Sequence, residues 1–393
     1  MRTPFSEDQH MKTQICLVSQ QAAANLLPAL DPALKPDKVI LVVSARMQQQ
    51  AAQLSRVFRE SAITVEQLSL GDEQDFHLTE EELVDLAARI DGEDVALNIT
   101  GGTKLMSVAA QSVAQTSGWR MFYVDADSDQ VIWLGRDAPA PRALDQQLRL
   151  RHYLRSYGFK MLQEPCRTQA TAEQQRLTQT LVLQIGSLEN AIGTLNALAQ
   201  DAENRRRLGS PLSDWQRDSR SLDVLLRHFE NAGTLTLQGD KVVFSSEAAR
   251  DFVKGGWLEL HAIQAVHQIT GSLGIRDKAV NLTVEDESSH ARSELDIAFM
   301  ARNRLFIIEC KTARMDKPHG PADKIPKVND ILFKLAENCR RIGGLGTRGM
   351  LLSYRKLRDP ELQLARSLSI EVVAGSEVTR LAERLKHWVD PQG

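Results

Sequence analysis

ELDIAFMARNRLFIIECK, residues 294–311, decides the fold of the C-terminal third of this chain. Side chains alternate faces along a strand, so Glu294, Asp296 and Ala298 are expected on one face and Leu295, Ile297 and Phe299 on the other. The same rule puts Glu309 and Lys311 together. ARNR, residues 301–304, is a short polar connection suited to a hairpin that sets Asp296 beside Glu309. Phe306, Ile307 and Ile308 run without a polar break, as in a central strand covered on both faces, so Glu309 is expected to be partly buried. A desolvated carboxylate costs several kcal/mol unless it is paired or metal-bound, so a divalent ion explains the pair better than a solvated polar face does. Hard oxygen ligands on adjacent strands suit Mg²⁺ or Mn²⁺, and Lys311 is placed to activate water or to stabilise transition-state charge.

Around this hairpin, residues 255–393 read as a mixed sheet with helices packed on it. The order is helix (WLELHAIQAVHQI), strand (AVNLTVE), the hairpin, helix (VNDILFKLAENCRRI), strand (GMLLS), helix, strand (IEVVA) and a terminal helix. In the first of these helices Leu258, Ala262, Ala265 and Ile269 form the core stripe, with Glu259 beside it. Residues 13–135 alternate short apolar runs (QICLV, KVILVV, ITVEQL, VALNI, MFYV) with helical patterns, a parallel α/β sheet of Rossmann-like type. A T-x-x-E box at Thr79 and Glu82 is expected to start the third helix. VIWLG reads as a hairpin arm, and APAPR at 138–142 breaks the pattern, so the first domain is taken as 1–150. Residues 151–254 are helical, then TLTLQGDKVVF forms a hairpin. This gives a winged-helix-like connector, read as a spacer rather than a sequence-specific reader of bases.

The chain has 393 residues, 42% apolar and 25% charged, which is enough for two or three domains with their own cores and excludes collagen-like, disordered and disulfide-scaffold classes. No run approaches a membrane span, and the first fifteen residues lack a signal peptide's apolar stretch, so a cytoplasmic location is expected. The four cysteines are far apart and encode neither a zinc site nor a disulfide framework. The net charge of -3 hides a basic segment at 312–358, weak support for a nucleic-acid partner.

VALNI is followed by TGGTK, residues 100–104, which opens the next helix. Two glycines let the backbone approach a ligand, and amides at a helix N-terminus favour an anion. The loop is neither a P-loop nor a dinucleotide fingerprint. The G-x-G-x-x-G at Gly344, Gly346 and Gly349 follows a helix and precedes a strand, the reverse of a phosphate cradle.

E-L-D, then twelve residues, then E-C-K resembles the PD-(D/E)xK nuclease signature, and NITGGTKLMSVAA in a Rossmann-like domain resembles the CARF domains of type III CRISPR ancillary proteins. The whole chain is similar to the cyclic-oligoadenylate-activated CRISPR nucleases: a CARF-like domain, a small connector and a PD-(D/E)xK nuclease domain. That resemblance implies a cytoplasmic homodimer that binds a cyclic oligoadenylate, cyclic tetra-adenylate above others, and hydrolyses DNA or RNA in antiviral defence. It implies catalytic roles for Glu259, Asp296, Glu309 and Lys311, and a metal at Asp296, Glu309 and Cys310. It places the activator on Thr100, Gly101, Gly102, Thr103 and Lys104 with Asn98, on Ser19 and Gln20, and on Ser44, Arg46 and Met47. In an open α/β sheet ligands sit at the carboxyl ends of strands, where these three loops fall. Two rival readings remain. One is a HEPN ribonuclease using the R-x4–6-H spacing of Arg314 and His319. The other is a ligand-responsive transcription regulator that binds DNA through the connector.

Overall fold

The computed structural model of the chain describes residues 11–125, 128–145, 148–163, 170–312 and 327–391. Its first sheet holds β1 (Thr13–Leu17), β2 (Lys38–Val43), β3 (Thr64–Ser69), β4 (Val95–Asn98), β5 (Arg120–Asp125), β6 (Gln130–Leu134) and β7 (Arg142–Ala143), in the order β3-β2-β1-β4-β5-β6-β7. β1 to β5 are parallel. Ile15–Leu17 of β1 and Val39–Val43 of β2 run apolar without a break because helices cover both faces: α1 (Ala23–Leu30) and α2 (Gln48–Glu60) on one, α3 (Phe76–Arg89) and α4 (Lys104–Ser117) on the other. The strand order reverses between β1 and β4, which opens a crevice at their carboxyl ends.

α3 begins earlier than the T-x-x-E box predicts. Asp75 caps it, accepting from the Leu78 amide at 3.1 Å. Thr79 lies buried inside the first turn, and Glu82 accepts instead from the Gly71 amide. A carboxylate is as good a cap as a threonine hydroxyl, so the helix starts at the earlier of the two.

After α5 (Leu150–Ser156) and β8 (Phe159–Met161), the middle of the chain forms α6 (Ala172–Leu183), α7 (Ile185–Asn204), β9 (Gly209–Pro211), α8 (Asp214–Arg217), α9 (Arg220–Asn231), β10 (Leu235–Gln238), β11 (Lys241–Phe244) and α10 (Glu247–Asp251). Its antiparallel sheet runs β10-β11-β9, a winged-helix-like arrangement.

The third sheet is built from β12 (Asp277–Asp286), β13 (Arg292–Ala301), β14 (Arg304–Lys311), β15 (Arg348–Ser353) and β16 (Ile370–Ala374), in the order β16-β15-β14-β13-β12-β8. β14 is central, as its apolar run requires, and β8 is a strand too short for any periodicity to reveal. The connection between β13 and β14 turns through Arg302 and Asn303, both at positive φ (47° and 55°), the two-residue geometry that matches strand twist. Below the turn Phe299 stacks on Phe306 with centroids 5.1 Å apart. α11 (Trp257–Ile269) and α14 (Leu381–Val389) cover one face of this sheet, α12 (Lys327–Gly343) and α13 (Asp359–Ser367) the other.

One apolar cluster crosses between the first and third sheets. It joins Leu41 and Phe58 to Leu154 and Phe159, and these to Leu282, Ile307, Leu332 and Leu351. α5 is the bridge, packed on α2 and on β8.

Candidate active site and ligand-binding loops

The register of β12 against β13 skips one pair. Val280 faces Ile297 and Leu282 faces Leu295, but Asn281 and Asp296 between them are not joined. Asn281 has φ of 50°, the left-handed conformation that asparagine tolerates better than most residues. Both strands change faces at this point: Val280 and Ile297 pack in the cluster holding α11, while Leu282 and Leu295 pack in the cluster holding α12. The expected sharing of one face by Leu295, Ile297 and Phe299 is therefore corrected. Uninterrupted alternation fails because the kink at Asn281 inserts a twist opposite Asp296.

The kink stands where the acidic residues meet. Lys311 Nζ lies 2.5 Å from Glu309 Oε1 and 3.8 Å from Asp296 Oδ2. The Cys310 amide donates to Asp296 Oδ2 at 2.7 Å. Burial, then the charge of Glu309, raises the Asp296 pKa against the pull of Lys311. Burial works against the charge on Lys311, yet Glu309 and Asp296 outweigh it and lift its pKa. Glu259, on the first turn of α11, is raised mainly by burial and held by a hydrogen bond from Asn281. The Cys310 thiol is buried and pushed well up by that burial and by Asp296, so it stays protonated; Cys310 meets Asp296 through its main chain.

Glu259, Glu294, Asp296 and Lys311 line a cleft of about 930 Å³, and Gly193, Asn196 and Gln200 of α7 line it too. Glu309 meets the cleft through Lys311. The segment read as a spacer thus supplies part of the wall. The Asn196 amide donates to the carbonyl of Thr312, one residue past Lys311, which ties the end of β14 to α7. Neither Asn281 nor Asn196 carries a sequence signal: the role of each depends on an element far away along the chain. Among the described residues no group of three or more acidic, histidine or cysteine side chains is close enough to form a ready-made metal cage. Two part-buried carboxylates with surplus negative charge still suit a hard cation that keeps several waters. Arg314 and His319 lie outside the described residues.

At the other end of the molecule, the three loops gather at the carboxyl ends of β1, β2 and β4. Asn98 is spent inside the fold, donating to Ala24 O at 2.8 Å and Asn25 Oδ1 at 3.1 Å while accepting from Thr100. Gly101 is required by packing, because a Cβ there would stand 2.0 Å from the Leu17 carbonyl. Gly102 has φ of 74° and also abuts Leu17. Thr103 caps α4, accepting from the Met106 amide at 3.2 Å. Lys104, Gln20 and Arg46 are exposed, Ser19 and Met47 are half-buried, and Ser44 is buried. Among the described residues no helix is long and apolar enough to cross a membrane.

The described model of the Card1 CARF domain matches residues 13–153, and that of the Card1-like endonuclease domain matches residues 246–391. Protein VC1899 from Vibrio cholerae is similar over 98% of this chain and 99% of its own, at 25% identity and a TM-score of 0.87. Can2 from Sulfobacillus thermosulfidooxidans, solved in complex with cyclic tetra-adenylate, is similar over 96% of this chain and 99% of its own, at 22% identity and a TM-score of 0.80. A type III CRISPR defence DNA nuclease activated by cyclic oligoadenylate is similar over 90% of this chain and 47% of its own, at 19% identity and a TM-score of 0.53. A search of curated proteins returns no match.

Proposed function

The chain belongs to the CARF-domain nucleases of the Card1 type, a CARF domain joined to an endonuclease domain, and from that premise we propose a homodimer whose metal-dependent cleavage of DNA or RNA is switched on by a cyclic oligoadenylate. Cyclic tetra-adenylate is the ring adopted here, because the Can2 structure that matches nearly the whole chain contains it. The proposed setting is type III CRISPR defence.

The observation that carries the catalytic part is Lys311 standing between Asp296 and Glu309, with Asp296 and Lys311 in the wall of one cleft. Asp296 and Glu309 would hold Mg²⁺ or Mn²⁺, with Glu259 facing them from α11. The cation supplies Lewis acidity to water and to the phosphoryl group. Lys311, fixed by Glu309, donates to a phosphoryl oxygen as charge develops there. Asn196 and the Cys310 amide keep the end of β14 and the Asp296 carboxylate in place.

For the sensing part, Lys104 and Thr103 stand at the N-terminus of α4, where amides and a cation favour phosphate. Support for the homodimer comes from Leu105 and Val108 on α4, 46% and 55% exposed. Leu105 and Val108 stand about one turn apart, just after the loop proposed for the activator.

The test is cleavage of circular single-stranded DNA and of RNA with and without Mg²⁺ or Mn²⁺, and with and without cyclic tetra-adenylate. Cutting is expected only with metal and activator together. Equal cutting without the ring removes the gating, and undiminished cutting in a chelator removes the metal.

A further inference from the structure

A polar cavity of about 430 Å³ lies between the CARF domain and the nuclease domain. Gln20, Arg46 and Gln50 line it from the CARF side; Tyr157, just past α5, and Arg340 and Arg341 on the last turn of α12 line it from the other. Three arginines are among the residues lining this space, and no carboxylate is. Arg340 is largely exposed and stands 4.0 Å from Glu337, too far for a strong pair, and Arg341 lies over the Phe159 ring at 5.6 Å. Arg46 reaches Glu73 at 3.5 Å through Nε. Cations at the end of α12 also complement its dipole, but that role asks for no partner from another domain. Arginines lining a space whose wall carries no acid are suited to bidentate recognition of phosphate.

Gln20 and Arg46 belong to the loops after β1 and β2, on which the activator is proposed to rest. We propose that Arg340 and Arg341 of the nuclease domain complete the activator site by binding a phosphodiester group of the cyclic oligoadenylate; this rests on the activator reading above. The consequence is a direct readout. α12 packs Val328, Leu332 and Leu335 in the cluster that holds Ile307 of the catalytic strand. Its C-terminal end is gripped by α5, where Tyr153 donates to the Gly343 carbonyl at 2.8 Å. A phosphate drawn to Arg340 and Arg341 therefore acts on the helix lying under the metal-binding strand.

The experiment measures cyclic tetra-adenylate affinity of the full-length protein by calorimetric titration, together with the ring concentration that half-activates cutting. Arg340→Ala/Arg341→Ala is expected to weaken binding about tenfold or more, to shift half-activation by a similar factor, and to lower the maximal rate at saturating ring. Arg340→Lys/Arg341→Lys is expected to recover part of the loss; it also serves if the alanine pair destabilises the chain. If both variants bind and respond within twofold of the parent while Lys104→Ala loses the ring, the inference is wrong and the activator reading stands. If the parent binds no ring, the activator reading fails, and inorganic tripolyphosphate decides the cavity: a rise in melting temperature that the alanine pair lacks supports phosphate binding there, and no rise overturns it.

Discussion

At Asn281 a single backbone conformation serves two purposes. The left-handed turn breaks the β12–β13 ladder opposite Asp296, and the amide holds Glu259. Asn281→Gly keeps the backbone free to adopt that conformation and removes the amide, so cutting is expected to fall about tenfold with little change in melting temperature. Asn281→Val is expected to cost about 1–3 kcal/mol in denaturant unfolding as well, since a β-branched residue resists positive φ. Full activity in the glycine variant would remove the positioning role. Glu309→Ala leaves the Lys311 ammonium with Asp296 alone; cutting is expected to drop a hundredfold or more. Affinity for cyclic tetra-adenylate should stay within twofold, because the loops proposed for the activator are on another sheet.

Among the elements, the β13–β14 hairpin was the most legible. Its polar turn, its uninterrupted Phe306-Ile307-Ile308 run and the two acidic motifs are local features, and the strand they encode lies at the centre of its sheet. α4 was legible for a similar reason, with Thr103 before it and Gly118 in the left-handed conformation after it. What the sequence hid is non-local. β8 joins the third sheet by pairing with β12 more than a hundred residues later, and α7 reaches the candidate active-site cleft only because the connector folds back on α11. The face switch at Asn281 was hidden too, since strict alternation has no term for a kink. Two element-level outcomes follow. Phe306→Ala removes the stack on Phe299 and the edge contact with Trp388, and is expected to destabilise by about 3–5 kcal/mol in urea unfolding. Gly101→Ala drives a methyl into the Leu17 carbonyl; circular dichroism melts should show clear destabilisation, and the displaced TGGTK loop should lose the ring.

For the whole molecule, the turn between β13 and β14 meets the CARF domain at Asp129. Burial lifts the Asp129 pKa to about 6, although Arg304, Asn303 and Arg302 pull it down. The folded state then binds more protons than the unfolded state between about pH 4 and pH 6. Stability from this group declines as pH rises through that window and stays flat above it. Asp129→Asn should therefore raise stability by about 1 kcal/mol at pH 7 relative to pH 4.5, after allowance for its partial exposure. Leu105→Glu/Val108→Glu is expected to sediment as a monomer if α4 forms the subunit contact. The cluster that runs from Leu41 through Leu154 to Leu351 has a last consequence. Heat should melt the sensor and the cutting half in one calorimetric peak, and either half expressed by itself would bare a sticky oil-like flank and precipitate. Because that cluster is continuous among the described residues, the proposed messenger would act by resetting how the proposed subunits meet, or by pressing directly on the helix beneath the candidate active site.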